Sequence, residues 1–209
     1  SGSCGALTQL ACIDPDPNVV NLVGLTIGAT YYVRVMTWSA APGSPANFNK
    51  CVGTPLPPPA NDNSVGAVIL TVNPTLVCTA VTAGTTISAT STPGAPIPSC
   101  IGAASADDDV WFQFTATNPT HRLSISNVVP ANTMAMAVYS GTCGTLTEIG
   151  CNTTSLLQVY GLSIGTVYYV RVFTSSTVIG TNANFNICVA TPPPPPLNDD
   201  CPGAVSLTV

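Results

Sequence analysis

The segments Val110-Trp111-Phe112-Gln113-Phe114 and Tyr168-Tyr169-Val170-Arg171-Val172-Phe173 decide the fold. Both are rich in β-branched and aromatic residues, and they alternate enough for strands with one buried face. No segment keeps a 3.6-residue apolar period over three turns, so helices are not expected. Short segments of the same kind, separated by Gly, Pro, Asn and Ser, predict strands at residues 68–72, 85–89, 110–116, 122–125, 135–139, 146–149, 168–174 and 185–189. The sequence therefore predicts an all-β fold, an antiparallel two-sheet β-sandwich of the Ig-like or jelly-roll-like kind.

The sequence repeats itself. Tyr31-Tyr32-Val33-Arg34-Val35 recurs unchanged at residues 168–172, and Ser1-Gly2-Ser3-Cys4-Gly5 recurs as Ser140-Gly141-Thr142-Cys143-Gly144. A proline run follows each copy. We therefore expect tandem sandwiches joined by Pro-rich linkers. Residues 1–60 would be the C-terminal half of a repeat ending in a linker, residues 61–197 a complete repeat with its linker, and residues 198–209 the first strand of the next.

Composition excludes several functions. Charged residues make up 6% of the 209-residue chain, and only four of them are basic. Four cations cannot neutralise a run of phosphates, so nucleic-acid binding is not expected. No apolar run reaches the length of a membrane-spanning helix. A Thr- and Ser-rich chain with so little charge suits a polymer surface or a coat of glycans, for which Asn152-Thr153-Thr154 is an acceptor sequence.

Residues suited to catalysis are few. His121 is the single histidine, and its turn-like surroundings favour a polar residue at a strand edge over a general base. Asp107-Asp108-Asp109 is the longest acidic run, but it lacks the spaced ligands of a calcium loop, so we expect a solvated loop. Arg34 and Arg171 hold matched positions in the repeat, which favours a structural ion pair or carbonyl contact. The sequence predicts no enzyme activity, metal or cofactor.

Nine cysteines in this chain indicate disulfides in an oxidising, extracellular compartment. No two of them are closer than eight positions, which disfavours zinc. Cys4 with Cys12, and Cys143 with Cys151, each enclose seven residues around a turn that contains glycine. Because this spacing occurs twice, we expect a local disulfide in each copy.

A set of motifs resembles the tandem β-sandwich repeats of large secreted bacterial surface and adhesin-type proteins, which are related to pre-peptidase C-terminal-type domains. The motifs are Asn-Asp-x-Cys at the start of a repeat, Ser99-Cys100, the segment 109–116, Tyr139-Ser140-Gly141-Thr142-Cys143 and the segment 165–172. The resemblance implies an extracellular, non-catalytic domain used in adhesion, matrix or appendages.

The resemblance also implies disulfide pairings, because relatives keep the Asn-Asp-x-Cys and Ser-Cys positions, which suggests that these two bond each other. Here Ser64 occupies the first position, so Cys100 would lack its partner and Cys78 would bond Cys188. In this scheme Cys51, Cys100 and Cys201 are unpaired or bond other repeats. A rival scheme pairs Cys78 with Cys100, and Cys188 with Cys201.

The leading functional hypothesis is a structural subunit of an extracellular fibril. The lone segment Gly203-Ala204-Val205-Ser206-Leu207-Thr208-Val209 cannot fold alone and would be donated to a neighbouring copy. End-to-end contacts of this kind give an open homopolymer. The alternative is an extracellular adhesin or a carbohydrate-binding module of a secreted bacterial protein, which would carry aromatic and polar residues in a loop cluster at one end of the sandwich.

Overall fold

The structure, a computed structural model, divides into two compact units, residues 1–53 and 54–209. The residues that it describes are 1–3, 5–12, 20, 22, 24–37, 43, 45–101, 106–176, 181–196, 198–199 and 201–206. Cys4 lies outside these residues, and so do Leu207, Thr208 and Val209 of the segment expected to be donated. None of the helices in the described part of the chain is long and apolar enough to cross a membrane.

The described residues of the first unit contain one β-hairpin. Strands β1 (Gly2–Ser3) and β2 (Ala6–Leu7) pair in an antiparallel manner, with Gly2 opposite Leu7. Gly2 and Gly5 have φ angles of 110° and 99°, a region that suits glycine. The described residues from 24 to 37 and from 45 to 53 form neither helix nor strand.

The second unit is a two-sheet sandwich. The first sheet has the strand order β3-β6-β11-β8-β9, and the second has the order β10-β7-β12-β4 with β5 also paired to β12. The strands are β3 (Val68–Ile69), β4 (Val72–Asn73), β5 (Thr82–Thr85), β6 (Val110–Thr115), β7 (His121–Val129), β8 (Met134–Thr142), β9 (Thr145–Asn152), β10 (Leu156–Val159), β11 (Val167–Thr174) and β12 (Asn184–Ala190). Single 3-10 turns occupy Ser64–Gly66 and Cys201–Gly203.

The predicted all-β sandwich is confirmed, and its details differ in three places. The predicted strand 68–72 is split into β3, which joins the first sheet, and β4, which joins the second. Strand β3 runs parallel to β6, and β4 runs parallel to β12. The strand predicted at 85–89 lies earlier, at Thr82–Thr85, because Ser88 has a left-handed φ of 61°. Strand β10 was not predicted.

Alternation in β6 and β11 creates the core. Phe112, Phe114, Val170 and Val172 point between the sheets and are fully buried there with residues of β7 and β12. The opposite face of the first sheet carries a second buried cluster, which contains Trp111, Ala135, Ala137, Tyr139 and Phe173. Both faces of this sheet are therefore covered, which explains why β8 reads as a nearly continuous apolar run.

Two disulfides join distant parts of the second unit. Cys78 bonds Cys188, the pairing that the first scheme names, and Cys100 bonds Cys151. The rival pairs of Cys78 with Cys100, and of Cys188 with Cys201, are not formed.

The predicted local bond between Cys143 and Cys151 is not formed either, and Cys143 is free. Its partner lies too far away, since β8 and β9 form a long hairpin that turns after Thr142 and places Cys151 opposite Ala137. At about 3.3 Å per residue, β9 carries Cys151 roughly 20 Å from the turn. A disulfide needs Cα atoms within about 7 Å.

Cys100 was expected to lack a partner, and this expectation is corrected by its bond to Cys151. Cys12, Cys51 and Cys201 are free and exposed. The first scheme has Cys51 and Cys201 unpaired or bonded to other repeats, and this stays a prediction. The predicted bond of Cys12 to Cys4 involves a residue outside the described part of the chain.

Candidate functional site

A buried polar cluster lies on the outer face of the first sheet, under the loop that precedes β6. Its members are Thr92, Asp109, Trp111 and Arg171. The Nε atom of Arg171 lies 3.0 Å from Oδ2 of Asp109, and Nη2 donates a hydrogen bond of 3.1 Å to Oδ1. Asp109 also accepts hydrogen bonds from Trp111 Nε1 at 2.8 Å and from the backbone N–H of Thr92 at 2.9 Å.

Arg171 further donates to the carbonyl oxygen of Pro96 at 2.9 Å, and its guanidinium lies over the ring of Trp111. Arg171 therefore makes both of the contacts that were expected as alternatives, an ion pair and a hydrogen bond to a backbone carbonyl oxygen. These bonds fix the loop to the sheet, and the cluster is too deeply buried to bind a ligand. Its role is structural.

The acidic run is not a solvated loop, and that prediction is wrong for two of its three residues. Asp108 and Asp109 are buried. Oδ1 of Asp108 accepts a hydrogen bond of 3.0 Å from the backbone N–H of Thr174, while burial raises the pKa of its carboxyl group. Among the described residues, no group of three or more His, Cys, Asp and Glu side chains is placed to hold a metal ion.

His121 is the first residue of β7, after a turn, and its side chain is buried. Its Nε2 atom accepts hydrogen bonds from the backbone N–H groups of Thr117 and Asn118, at 3.1 and 3.2 Å. Burial lowers the pKa of the imidazole. The ring is thus held in the neutral form and organises the turn before β7, a structural role.

A polar cleft of about 690 Å³ opens at one end of the sandwich, where loops from both sheets meet. The turn between β7 and β8, the turn between β9 and β10, and the segment after β11 contribute its walls. The lining residues are Val128, Ala131, Asn132, Thr133, Ser155, Ser175 and Ser176. Sequence reasoning missed this cleft because its residues are ordinary turn residues that come together only in the fold.

Internal hydrogen bonds stabilise the walls of the cleft. Asn132 Nδ2 donates to the carbonyl oxygen of Asn182 at 2.9 Å, and Ser175 Oγ donates to the carbonyl oxygen of Thr133 at 3.1 Å. Ser155 is exposed at the rim. Side-chain hydroxyl and amide groups both donate and accept hydrogen bonds, so they can exchange them with the hydroxyl groups of a neutral polar ligand. No aromatic residue is among the seven that line the cleft.

The other predicted site residues lie elsewhere. Asn152 ends β9 and is partly exposed, and its Oδ1 accepts a hydrogen bond from the backbone N–H of Thr154 at 3.0 Å. Residues 203–206 are described and form no strand.

A family model described as "Galactose binding domain-like", of T9SS-associated proteins, matches residues 60–187, which is more than half of the chain. The chain belongs to this family. The match covers the sandwich and the loop-end cleft, and it indicates a secreted bacterial surface domain with an extracellular or envelope location. The family assignment agrees with the expected secreted β-sandwich of a surface protein.

Among solved structures, the chain is similar to PliG from Aeromonas hydrophila, a periplasmic lysozyme inhibitor of g-type lysozyme. The two are 14% identical with a TM-score of 0.34, and the alignment covers 59% of this chain and 96% of that chain. A similarity this weak carries no argument about function. No curated protein matches this chain in sequence.

Proposed function

We propose that this chain is a non-catalytic carbohydrate-binding module of a secreted bacterial surface protein, and that its ligand binds in the loop-end cleft. The match of residues 60–187 to a galactose-binding-like family is the observation that carries the proposal. The cleft supports it, because its polar side chains are neutral hydroxyls and an amide, which suit a neutral sugar better than a charged ligand.

The cleft meets only half of the expectation for such a module, since its lining is polar without being aromatic. Without an aromatic platform, affinity for a single sugar depends on hydrogen bonds that replace bonds to water. Each such bond contributes about 0.5–1.5 kcal/mol. We therefore expect weak binding of one sugar and stronger apparent binding to a surface that presents many copies.

A glycan array probed with the full chain tests this proposal. Ser155→Trp should block the cleft and abolish binding, since Ser155 lies at its rim. Ser163→Trp is the matched control, because Ser163 is exposed in the turn before β11, at the opposite end of the sandwich from the cleft. Equal binding by both variants would place the ligand elsewhere, and absence of binding to every neutral glycan would reject the module.

A second candidate function is the structural subunit of an extracellular fibril, assembled from copies of this chain. The observation that favours it is the exposure of large apolar residues in the first unit, among them Val33, Phe48 and Val52. Negative-stain imaging of the purified chain distinguishes the candidates, since a fibril subunit should form filaments and a binding module should not.

A further inference from the structure

The first unit is a second copy of a sequence that is folded in the sandwich. Residues 1–12 correspond to 140–151 at an offset of 139, and residues 24–53 correspond to 161–190 at an offset of 137. We call residues 140–190 the second half-repeat, residues 1–53 its free copy, and residues 61–139 the first half-repeat.

The free copy keeps the local structure of its counterpart. The pairing of Gly2 with Leu7 matches that of Gly141 with Leu146. The hydroxyl of Tyr31 accepts a hydrogen bond of 2.8 Å from the backbone N–H of Thr26, and the hydroxyl of Tyr168 accepts one of 2.9 Å from Ser163. The turns are therefore formed in both copies.

Among the described residues, strands β11 and β12 of the second half-repeat have no paired equivalent in the free copy, whose strands are β1 and β2. Strand β11 pairs with β6 and β8, and β12 pairs with β4, β5 and β7. All the residues that pair with β11 or with β12 lie in the first half-repeat. No part of the free copy corresponds in sequence to that half-repeat.

The apolar residues of the free copy consequently lack the cover that their counterparts have. Val33 is 71% exposed whereas Val170 is 0% exposed, and Phe48 is 60% exposed whereas Phe185 is 2% exposed. Ile27 and Ile164 are both exposed, as expected for a turn position that stays in solvent in the complete sandwich. Val33 and Phe48 are thus exposed in the free copy although their counterparts face the core.

One arginine and two cysteines of the free copy indicate which residues would cover its apolar side chains. Arg171, the counterpart of Arg34, pairs with Asp109. Cys188 and Cys151, the counterparts of Cys51 and Cys12, bond Cys78 and Cys100. All three partners belong to the first half-repeat, whereas Cys51 and Cys12 are free and exposed.

We infer that the described residues of the free copy, among them 24–37 and 45–53, are a docking surface for a first half-repeat with the residue pattern of 61–139. The occupant adds the missing strands, covers Val33, Val35 and Phe48, places a carboxylate beside Arg34, and offers one cysteine each to Cys51 and Cys12. Each new disulfide forms from two thiols, which lose two protons and two electrons to an oxidant of the extracellular compartment, such as a disulfide.

Residues after the second proline run repeat a local structure of the first half-repeat. The 3-10 turn Cys201–Gly203 matches the turn Ser64–Gly66 that opens the first half-repeat. The backbone N–H of Asp199 donates to the carbonyl oxygen of Pro196 at 3.0 Å, as that of Asp62 donates to Pro59 at 3.0 Å. Residues 198–203 thus resemble the start of the first half-repeat in sequence and in their 3-10 turn. This inference is independent of sugar binding, so a negative glycan array leaves it intact.

The experiment uses the full chain extended by a duplicate of residues 61–139 placed directly before Ser1, which reproduces the natural junction of residues 139 and 140. The extended and unextended chains are alkylated without reduction after oxidative refolding, and their cysteines are mapped by mass spectrometry. In the extended chain we expect Cys51 to be linked to the duplicate copy of Cys78, and Cys12 to the duplicate copy of Cys100. Cys51 and Cys12 should then be protected from alkylation, and calorimetry should show an additional cooperative transition.

A matched control carries Phe112→Asp and Phe114→Asp in the duplicate alone, which removes its core and should leave Cys51 reactive. Alkylation of Cys51 in the extended chain at the rate seen in the unextended chain would overturn the inference. Self-association of the unextended chain that protects Cys51 without a link from Cys51 to Cys78 would overturn it as well, because the occupant would then be the same surface of a second copy.

Discussion

Arg171 and Asp109 form a buried ion pair between adjacent segments of one sheet, with Nε and Oδ2 3.0 Å apart. Arg171 lies in the middle of β11, opposite Trp111, and Asp109 immediately precedes β6. The pair therefore connects β11, whose sequence recurs in the free copy, to the start of β6, whose sequence does not recur there.

Replacement of Arg171 by methionine should destabilise the sandwich strongly. The change keeps much of the side-chain volume and leaves Asp109 as a buried charge without its cation. Loss of one partner of such a pair costs about 3–5 kcal/mol. Urea denaturation should show a lower free energy of unfolding for Arg171→Met than for the natural chain.

Arg34→Met is the matched control, because Arg34 holds the same position in the repeat and is exposed. Its expected effect is within about 0.5 kcal/mol. Equal losses in the two variants would mean that the Arg171 pair contributes nothing beyond an exposed charge.

Acid should destabilise the fold through His121. Burial lowers the pKa of this imidazole below its ordinary value of 6.5, so the unfolded chain binds the proton more tightly than the folded chain. Stability is therefore full above about pH 6.5 and falls as the pH drops toward the folded pKa, by at most about 1.4 kcal/mol per pH unit.

Comparison with His121→Gln isolates this effect. Glutamine offers an oxygen to the backbone N–H groups of Thr117 and Asn118 but does not titrate. Asp108, whose raised pKa has the opposite influence on stability, is common to both chains and cancels. Urea midpoints at about pH 7.5 and about pH 5.5 should differ more for the natural chain than for the variant. Parallel midpoints would assign the acid sensitivity to other groups.

Alternation in β6 and β11 was sufficient to predict the sandwich, because every second side chain of each strand faces the space between the sheets. The buried state of Asp108 and Asp109 could not be predicted in this way. A run of acidic residues usually indicates a segment exposed to solvent. Asp109 is buried because it pairs with Arg171, which lies 62 positions away in sequence. The recurrence of Arg34 and Arg171 was the one signal of a fixed partner for this arginine.

Cysteine spacing failed for a similar reason. Seven intervening residues bring Cys143 and Cys151 together if they form a compact loop, but they separate the two if they form a strand. The register of the hairpin decides between these cases, and a single sequence does not contain it. The cleft was missed because Asn132, Ser155 and Ser175 meet only through the connections between strands.

Removal of the Cys78–Cys188 bond should lower stability more than removal of a free thiol. The bond closes a loop with a sequence separation of 110, and loops of this size give a stabilisation of about 2–5 kcal/mol. We expect the double variant Cys78→Ser with Cys188→Ser to lose an amount in this range in thermal unfolding. Cys143→Ser is the control, because Cys143 is free. A similar melting temperature for both would show that the bond is not formed in the folded chain.

Gly84 should be intolerant of any side chain, because two buried aromatic rings occupy the space beside it. A Cβ atom at this position would lie 2.5 Å from Cζ of Phe185 and 3.0 Å from Cζ of Phe112. These rings pack edge to face, and both are buried. Neither can move without opening the contact between the sheets, so Gly84→Ala should cost about 1–3 kcal/mol through overpacking.

Gly53→Ala provides the control for Gly84→Ala, since a Cβ atom there meets nothing within 4 Å and the glycine has no positive φ. Urea denaturation should show a lower midpoint for Gly84→Ala and an unchanged midpoint for Gly53→Ala. If Gly84→Ala were neutral, β5 would have to lie further from Phe185 than the structure places it. The close pairing of β5 with β12 would then be wrong.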